Sequence, residues 1–135
     1  MIPRLILAAA TSITVPSQDV DAGRFLESVR QVAGTDGTGS PLGPFDLTRA
    51  VWNQHAHGIP YVYAREKGHA ALVARRHVKW LSDGLERAGM AVTAYNLGAC
   101  WNLGLVGGIK AVKQGRKISY ADSVHNIYYE YAKQH

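Results

Sequence analysis

The sequence predicts a mostly α-helical single domain, and three observations carry that prediction. Apolar residues recur at helical spacing in several separate stretches. No stretch alternates apolar and polar residues as a strand ladder would. Glycine or proline stands at the ends of the periodic stretches. The 135 residues suit one domain, and a chain of that length buries about two-thirds of its unfolded surface without staples. Hydrophobic residues make up 47% and charged residues 19%, which excludes intrinsic disorder.

Residues 1–18 come first. Arg4 precedes an uncharged run from Leu5 to Val15 that contains the small residues Ala8 and Ala10. The segment reads either as a short secretory signal or as a first packed segment. It is too short to span a bilayer as a helix, and Thr11, Ser12 and Thr14 dilute its apolar character. No other segment is a membrane candidate.

Residues 19–135 read as one domain. Asp19 or Asp21 can cap a first helix running to about Ala33, with Ala22, Phe25, Val29 and Val32 on one buried face and Gly34 as its stop. Thr35 to Pro41 is a turn-rich loop, so the region near residues 34–45 is expected to be irregular or β-like. A second, shorter helix is expected from Phe45 to His55, with Leu47, Ala50 and Val51 on one side. His57-Gly58-Ile59-Pro60 stops it, and Tyr61 to Tyr63 reads as a brief extended piece. In the third helix Ala74, Val78, Leu81 and Leu85 share a face and Gly89 supplies the stop.

Met90 to Leu103 reads as a largely buried helix that the glycine-rich Gly104–Gly108 run relaxes. That run lacks the spacing of a phosphate cradle. Ser119 and Asp122 form a capping box for a last helix with Tyr120, Val124, Ile127 and Tyr131 on one face. Core packing is the expectation for Trp80, Trp101 and the tyrosines of that last helix.

Cys100 is the single cysteine, so no intrachain disulfide forms, and its apolar neighbours mark it as a buried small hydrophobe. Histidines 55 and 57 are too close in sequence to share a helix face, and no His-x-x-x-His occurs. No metal site and no cofactor is therefore expected. A serine nucleophile elbow is also absent. The net charge of +5 gathers around Arg65–Lys79 and Lys110–Lys117 and favours acidic partners without choosing among them.

Three short motifs bear on function. Gly43-Pro44-Phe45-Asp46-Leu47-Thr48 comes first, Thr93-Ala94-Tyr95-Asn96-Leu97-Gly98 about fifty residues later, and Tyr120-Ala121-Asp122-Ser123-Val124 last. In this order they resemble the lysozyme-like superfamily of lytic transglycosylases and bacterial or phage lysozymes. The resemblance covers about residues 19–131. It implies a helical domain acting on the glycan strands of peptidoglycan. It also implies a first helix ending in a catalytic glutamate, a Gly-Pro-x-Gln-Ile motif, a groove-lining Ala-Tyr-Asn motif and a terminal Tyr-x-x-x-Val helix. Asp46 stands at the usual glutamine.

Glycosidic cleavage needs a proton delivered to the leaving oxygen, and a carboxylic acid in a partly apolar site supplies it. Two alignments place that acid. The residue after the last buried beat of the first helix is Ala33, which has no proton to give. The alternative acid is Glu27, in a Glu27-Ser28 pair, but it lies about 200° around the helix from Val29. Asp36 is a further carboxylate in the loop. With Ala33 at the acid position, the chain reads as a glycan-binding pseudoenzyme or as an engineered Glu-to-Ala variant. Asp46, Trp52, Tyr95 and Asn96 are the expected substrate-binding residues.

A secreted or periplasmic location is expected if residues 1–18 are a signal, and otherwise a cytoplasmic or phage-associated one. The alternative function is a non-enzymatic basic helical module that binds nucleic acid or a protein partner. The sequence shows no helix-turn-helix or zinc-finger signature to favour nucleic acid.

Overall fold

The computed structural model describes residues 20–33 and 43–134, with side chains to residue 130. Among the described residues there are five α-helices and no strand. They are α1 (Ala22–Ala33), α2 (Arg49–His55), α3 (Lys67–Arg87), α4 (Ala94–Lys113) and α5 (Ser119–Gln134), with a 3-10 segment at Tyr61–Arg65. The fold is mostly helical, as the periodicity predicts. The segment 1–18, the cap candidate Asp19, and residues 34–42 of the region expected to be irregular or β-like over 34–45 lie outside the described residues.

Helix α1 forms where the apolar spacing places it. The Asp21 carboxylate accepts the Arg24 N–H at 2.9 Å, and the Asp21 carbonyl accepts the Phe25 N–H at 2.8 Å. Phe25, Leu26 and Val29 are buried, with Ala22 and Val32 packed at the margin.

Helix α2 is shorter than expected. It begins at Arg49 rather than Phe45, because residues 43–46 form a turn in which Gly43 (φ 81°) and Asp46 (φ 55°) are left-handed. The Thr48 hydroxyl then accepts the Val51 N–H at 3.3 Å and caps the helix. Its inner side carries Trp52 and His55, while Ala50 is exposed, contrary to the expected face. A Cβ at Gly43 would lie 1.9 Å from the Ala64 carbonyl oxygen, so this turn is seated directly on the 3-10 segment.

Tyr61–Tyr63 is not extended. Pro60 presets the turn, and the Tyr63 N–H returns to the Pro60 carbonyl at 3.0 Å, closing a 3-10 turn. Helix α3 buries Ala74, Val78, Leu81 and Leu85 as predicted, and Gly89 (φ 72°) ends it.

Helix α4 starts at Ala94, not Met90, because the Thr93 hydroxyl caps it by accepting the Asn96 N–H at 3.0 Å. Its first stretch ends at Leu103, as the glycine run predicts: Gly104, with φ 81° and ψ 166°, is non-helical, and a second helical stretch runs from there to Lys113. The second stretch folds back on the first, with Gly108 against Cys100. A Cβ at Gly108 would lie 2.7 Å from the Cys100 Cα.

The expected Ser119–Asp122 capping box does not form. The Asp122 N–H goes to the Ile118 carbonyl at 3.0 Å and its carboxylate to Lys117 Nζ at 3.0 Å. Helix α5 packs on α4 and α1, α3 packs on α1 and α4, and α2 packs on α3. Tyr128 is buried beneath α1, where its hydroxyl accepts the Asp21 N–H at 3.0 Å and the Arg24 guanidinium covers its ring.

Candidate functional site

Trp101 organises the surface on which the site is built. Its indole Nε1 donates to the Phe45 carbonyl at 2.9 Å, which ties α4 to the Gly43–Thr48 turn. Its ring meets Phe25 of α1 edge-on at 5.6 Å and the His77 imidazole of α3 at 5.0 Å. Four elements remote in sequence thus meet at one side chain.

Two adjoining cavities open beside it, sharing Thr48, Trp101 and Asn102 as walls. The larger, about 390 Å³, is completed by Asp46 and Tyr120. The smaller, about 280 Å³, is bounded further by His77, Trp80 and Cys100.

In the larger cavity Asp46 is half-buried, and burial raises its carboxyl above the ordinary value of 3.8. No described side chain donates a hydrogen bond to it. The Tyr120 hydroxyl is buried without a hydrogen-bond partner, and its pKa is raised by burial and then by the charge of Asp46. A polar ligand seated here would satisfy both groups, while Trp101 offers an apolar face.

The smaller cavity has a different character. His77 Nδ1 lies 2.9 Å from His55 Nε2, and the His77 ring stacks on Trp80 with centroids 5.9 Å apart and planes at 15°. Burial, and then the neighbouring His55, lowers His77 to about 4, so both rings are neutral at pH 7 and one donates to the other. Cys100 is pushed up to about 11 by burial and is a thiol rather than a thiolate. Among the described residues no group of three or more His, Cys, Asp or Glu side chains is placed to hold a metal.

The structure separates the other predicted site residues from this cleft. Trp52 is fully buried and donates from Nε1 to the Ile59 carbonyl at 2.6 Å, so it is a core residue with no face for a ligand. Asn96 is turned back on its own helix cap, its side-chain amide donating to the Ala91 carbonyl at 2.9 Å. Tyr95 packs with Ala99, Ala111, Ile118 and Ala121, on the α5 side of α4. Neither Tyr95 nor Asn96 borders either cavity.

Glu27 lies on the outer face of α1, where Arg30 at 2.5 Å and Gln31 at 3.1 Å hold it ionised. The Arg30 hydrogen bond leads in bringing it down to about 2, which disqualifies it as a proton donor near neutrality. Ala33 is the half-buried last residue of α1, about 40° around from the buried Val29. Asp36 lies outside the described residues. Trp80, expected in the core, is 37% exposed.

Trp101, Asn102, Tyr120 and His77 were not among the predicted ligand contacts. A signal for the first two existed in the chain. Tyr95-Asn96-Leu97-Gly98 recurs six residues later as Trp101-Asn102-Leu103-Gly104. Six residues turn a helix by about 240° net, so the two copies look out on different faces, and the second faces the cavities.

The lysines of the Lys110–Lys117 cluster have local explanations. Lys110 and Lys113 occupy the last turns of α4, where cations complement the helix dipole, and Lys117 is paired with Asp122. No helix among the described residues is long and apolar enough to cross a membrane. Comparison of the chain with protein-family models, with curated proteins and with solved structures finds no match in any of the three.

Proposed function

We propose that the protein is a lysozyme-like domain that binds the glycan strands of peptidoglycan in the cleft between α2, α4 and α5. One observation carries this reading. Asp46 of the Gly43–Thr48 motif, Trp101-Asn102 of the repeated aromatic-Asn-Leu-Gly motif, and Tyr120 of the Tyr-x-x-x-Val helix border one cavity. The first and last belong to motifs whose order carries the resemblance to lytic transglycosylases and lysozymes; the middle motif, Thr93–Gly98, stays outside the cavity, and Trp101-Asn102 repeats its aromatic-Asn-Leu-Gly pattern six residues on. An indole wall beside an unpartnered hydroxyl and a half-buried carboxyl group also suits a sugar ring, which presents an apolar face and a polar rim.

Co-sedimentation with purified, insoluble peptidoglycan tests the reading. The wild-type chain is expected to sediment with it, and Asn102→Ala, at an exposed position that leaves the core intact, is expected to weaken retention about tenfold, the loss of one or two good hydrogen bonds. A wild-type protein that stays in the supernatant at all peptidoglycan concentrations rejects the proposal.

A further inference from the structure

The smaller cavity lies between α2, α3 and the bend of α4, and no Asp, Glu, Lys or Arg stands among its described walls. Three contacts fix those walls. Leu105, just past the break at Gly104, is seated against α3, where a Cβ at Gly84 would lie 2.5 Å from its Cδ2. The Trp101 indole is held by the Phe45 carbonyl. The His77 imidazole is stacked on Trp80 and held at Nδ1 by His55 Nε2, 2.9 Å away. The cavity is therefore formed before any ligand arrives.

One polar atom of these walls has no protein partner. His77 is 5% exposed, and its Nδ1 is taken by His55. No hydrogen bond among the described residues reaches its Nε2. Nor is Nε2 sealed in, for the enclosed side-chain atoms without a partner are Arg24 Nε and Tyr120 Oη. Its outlet is the cavity that His77 lines. A nitrogen so deep in the fold calls for a hydrogen-bond partner. We infer that the smaller cavity is a binding site for a neutral aromatic ring carrying one hydroxyl group, a ligand of the phenol class, with its hydroxyl on His77 Nε2 and its ring between Trp80 and Trp101. Such a site stands whether or not the larger cavity holds glycan.

Each property of the ligand follows from a wall. A dry cavity of about 150 Å³ suffices for benzene, so about 280 Å³ leaves room for a substituted ring. The Trp80 plane lies 15° from that of His77 and the Trp101 plane 58° from it, so a flat ring meets aromatic neighbours at two inclinations, the offset and edge-on contacts that aromatic groups favour. The hydroxyl suits the histidine pair. With His55 as the donor between them, the His77 proton sits on Nε2 and is offered to the ligand. With His77 as the donor, Nε2 accepts instead. A hydroxyl serves either state, whereas an ether oxygen serves only the first. Neutrality follows from the absence of charged walls, since a carboxylate or ammonium would lose its water here without gaining an opposite charge.

The test uses the full chain with its histidines labelled with nitrogen-15, at pH 7. Long-range proton–nitrogen correlation spectra follow the His77 Nε2 signal while phenol, toluene or benzoate is added. Phenol is expected to shift that signal saturably. Toluene, which has the ring without the hydroxyl, is expected to bind about tenfold more weakly, and benzoate at least as weakly as toluene. Trp80→Leu, at a position 37% exposed, removes one aromatic wall and is expected to weaken phenol about fivefold. A His77 Nε2 signal that stays fixed through the phenol titration overturns the inference. Toluene bound as tightly as phenol overturns it too, because the nitrogen would then have no part in recognition, and so does benzoate bound as tightly. Unchanged phenol affinity in folded Trp80→Leu overturns the placement of the ring. Should that variant fail to fold, the three wild-type titrations decide by themselves.

Discussion

At the scale of single residues, the cleft is held together by groups that stability alone does not favour. Asp46 binds its proton more tightly folded than unfolded, because burial raises it above 3.8. The folded state therefore holds more protons across that window, and stability falls as pH rises through it. Asp46→Asn removes this loss, so its melting temperature at pH 7 is expected to exceed that of the wild type, as read by circular dichroism. Trp101 behaves in the opposite way. Trp101→Phe keeps an aromatic ring but leaves the Phe45 carbonyl without its donor, a cost of about 1–3 kcal/mol in urea denaturation. Trp101→Ala also opens a void between Phe25 and His77 and is expected to cost about 3–5 kcal/mol. Glu27→Gln removes only an exposed pair and is expected to change stability by less than about 1 kcal/mol. The outward position of Glu27 was readable from helical periodicity. The burial of Trp52 was not, because nothing in the local sequence shows that Ile59 returns to cover its indole.

At the scale of elements, the sequence was most legible where one strong period ran between two clear stops. Helices α1 and α3 lie where their apolar spacing and terminal residues put them. The misread elements share a physical cause: their boundaries are set by hydroxyl caps and left-handed residues rather than by periodicity. Thr48 and Thr93 begin α2 and α4 several residues later than apolar content alone suggests, and Thr48→Ala is expected to cost about 1 kcal/mol of stability. The glycine run in α4 was legible as a weakness but not as a fold-back, since the approach of Gly108 to Cys100 is a tertiary fact. Gly108→Val places bulk within 2.7 Å of the Cys100 backbone. It is expected to unfold the molecule or force the two halves of α4 apart, with the smaller cavity lost. An altered near-ultraviolet dichroism from Trp80 and Trp101 would report this.

At the scale of the whole molecule, the buried His55–His77 pair makes stability depend on pH in a defined direction. His77 is held at about 4 in the fold against 6.5 when unfolded, so between those values the unfolded chain binds more protons. Stability is full above pH 6.5 and is lost as pH falls toward 4, by roughly 3 kcal/mol for this residue. His55 acts in the same direction. Urea denaturation at pH 7 and pH 4 measures the drop, and His77→Phe is expected to shrink it. The helical class was legible at this scale from composition and period. The cleft was only half legible. Its motifs were visible in the chain, but two aromatic-Asn-Leu-Gly copies compete, and only the bond from Trp101 to the Gly43–Thr48 turn and the neighbouring Tyr120 of α5 select the second.

The bond from the Asp21 N–H to the Tyr128 hydroxyl joins residues 107 apart in sequence. A contact of that range is non-local, so it is expected to form late in folding. Helix α1 is then expected to dock late. Tyr128→Phe is expected to speed unfolding while leaving the refolding rate almost unchanged, an asymmetry that stopped-flow tryptophan fluorescence would resolve.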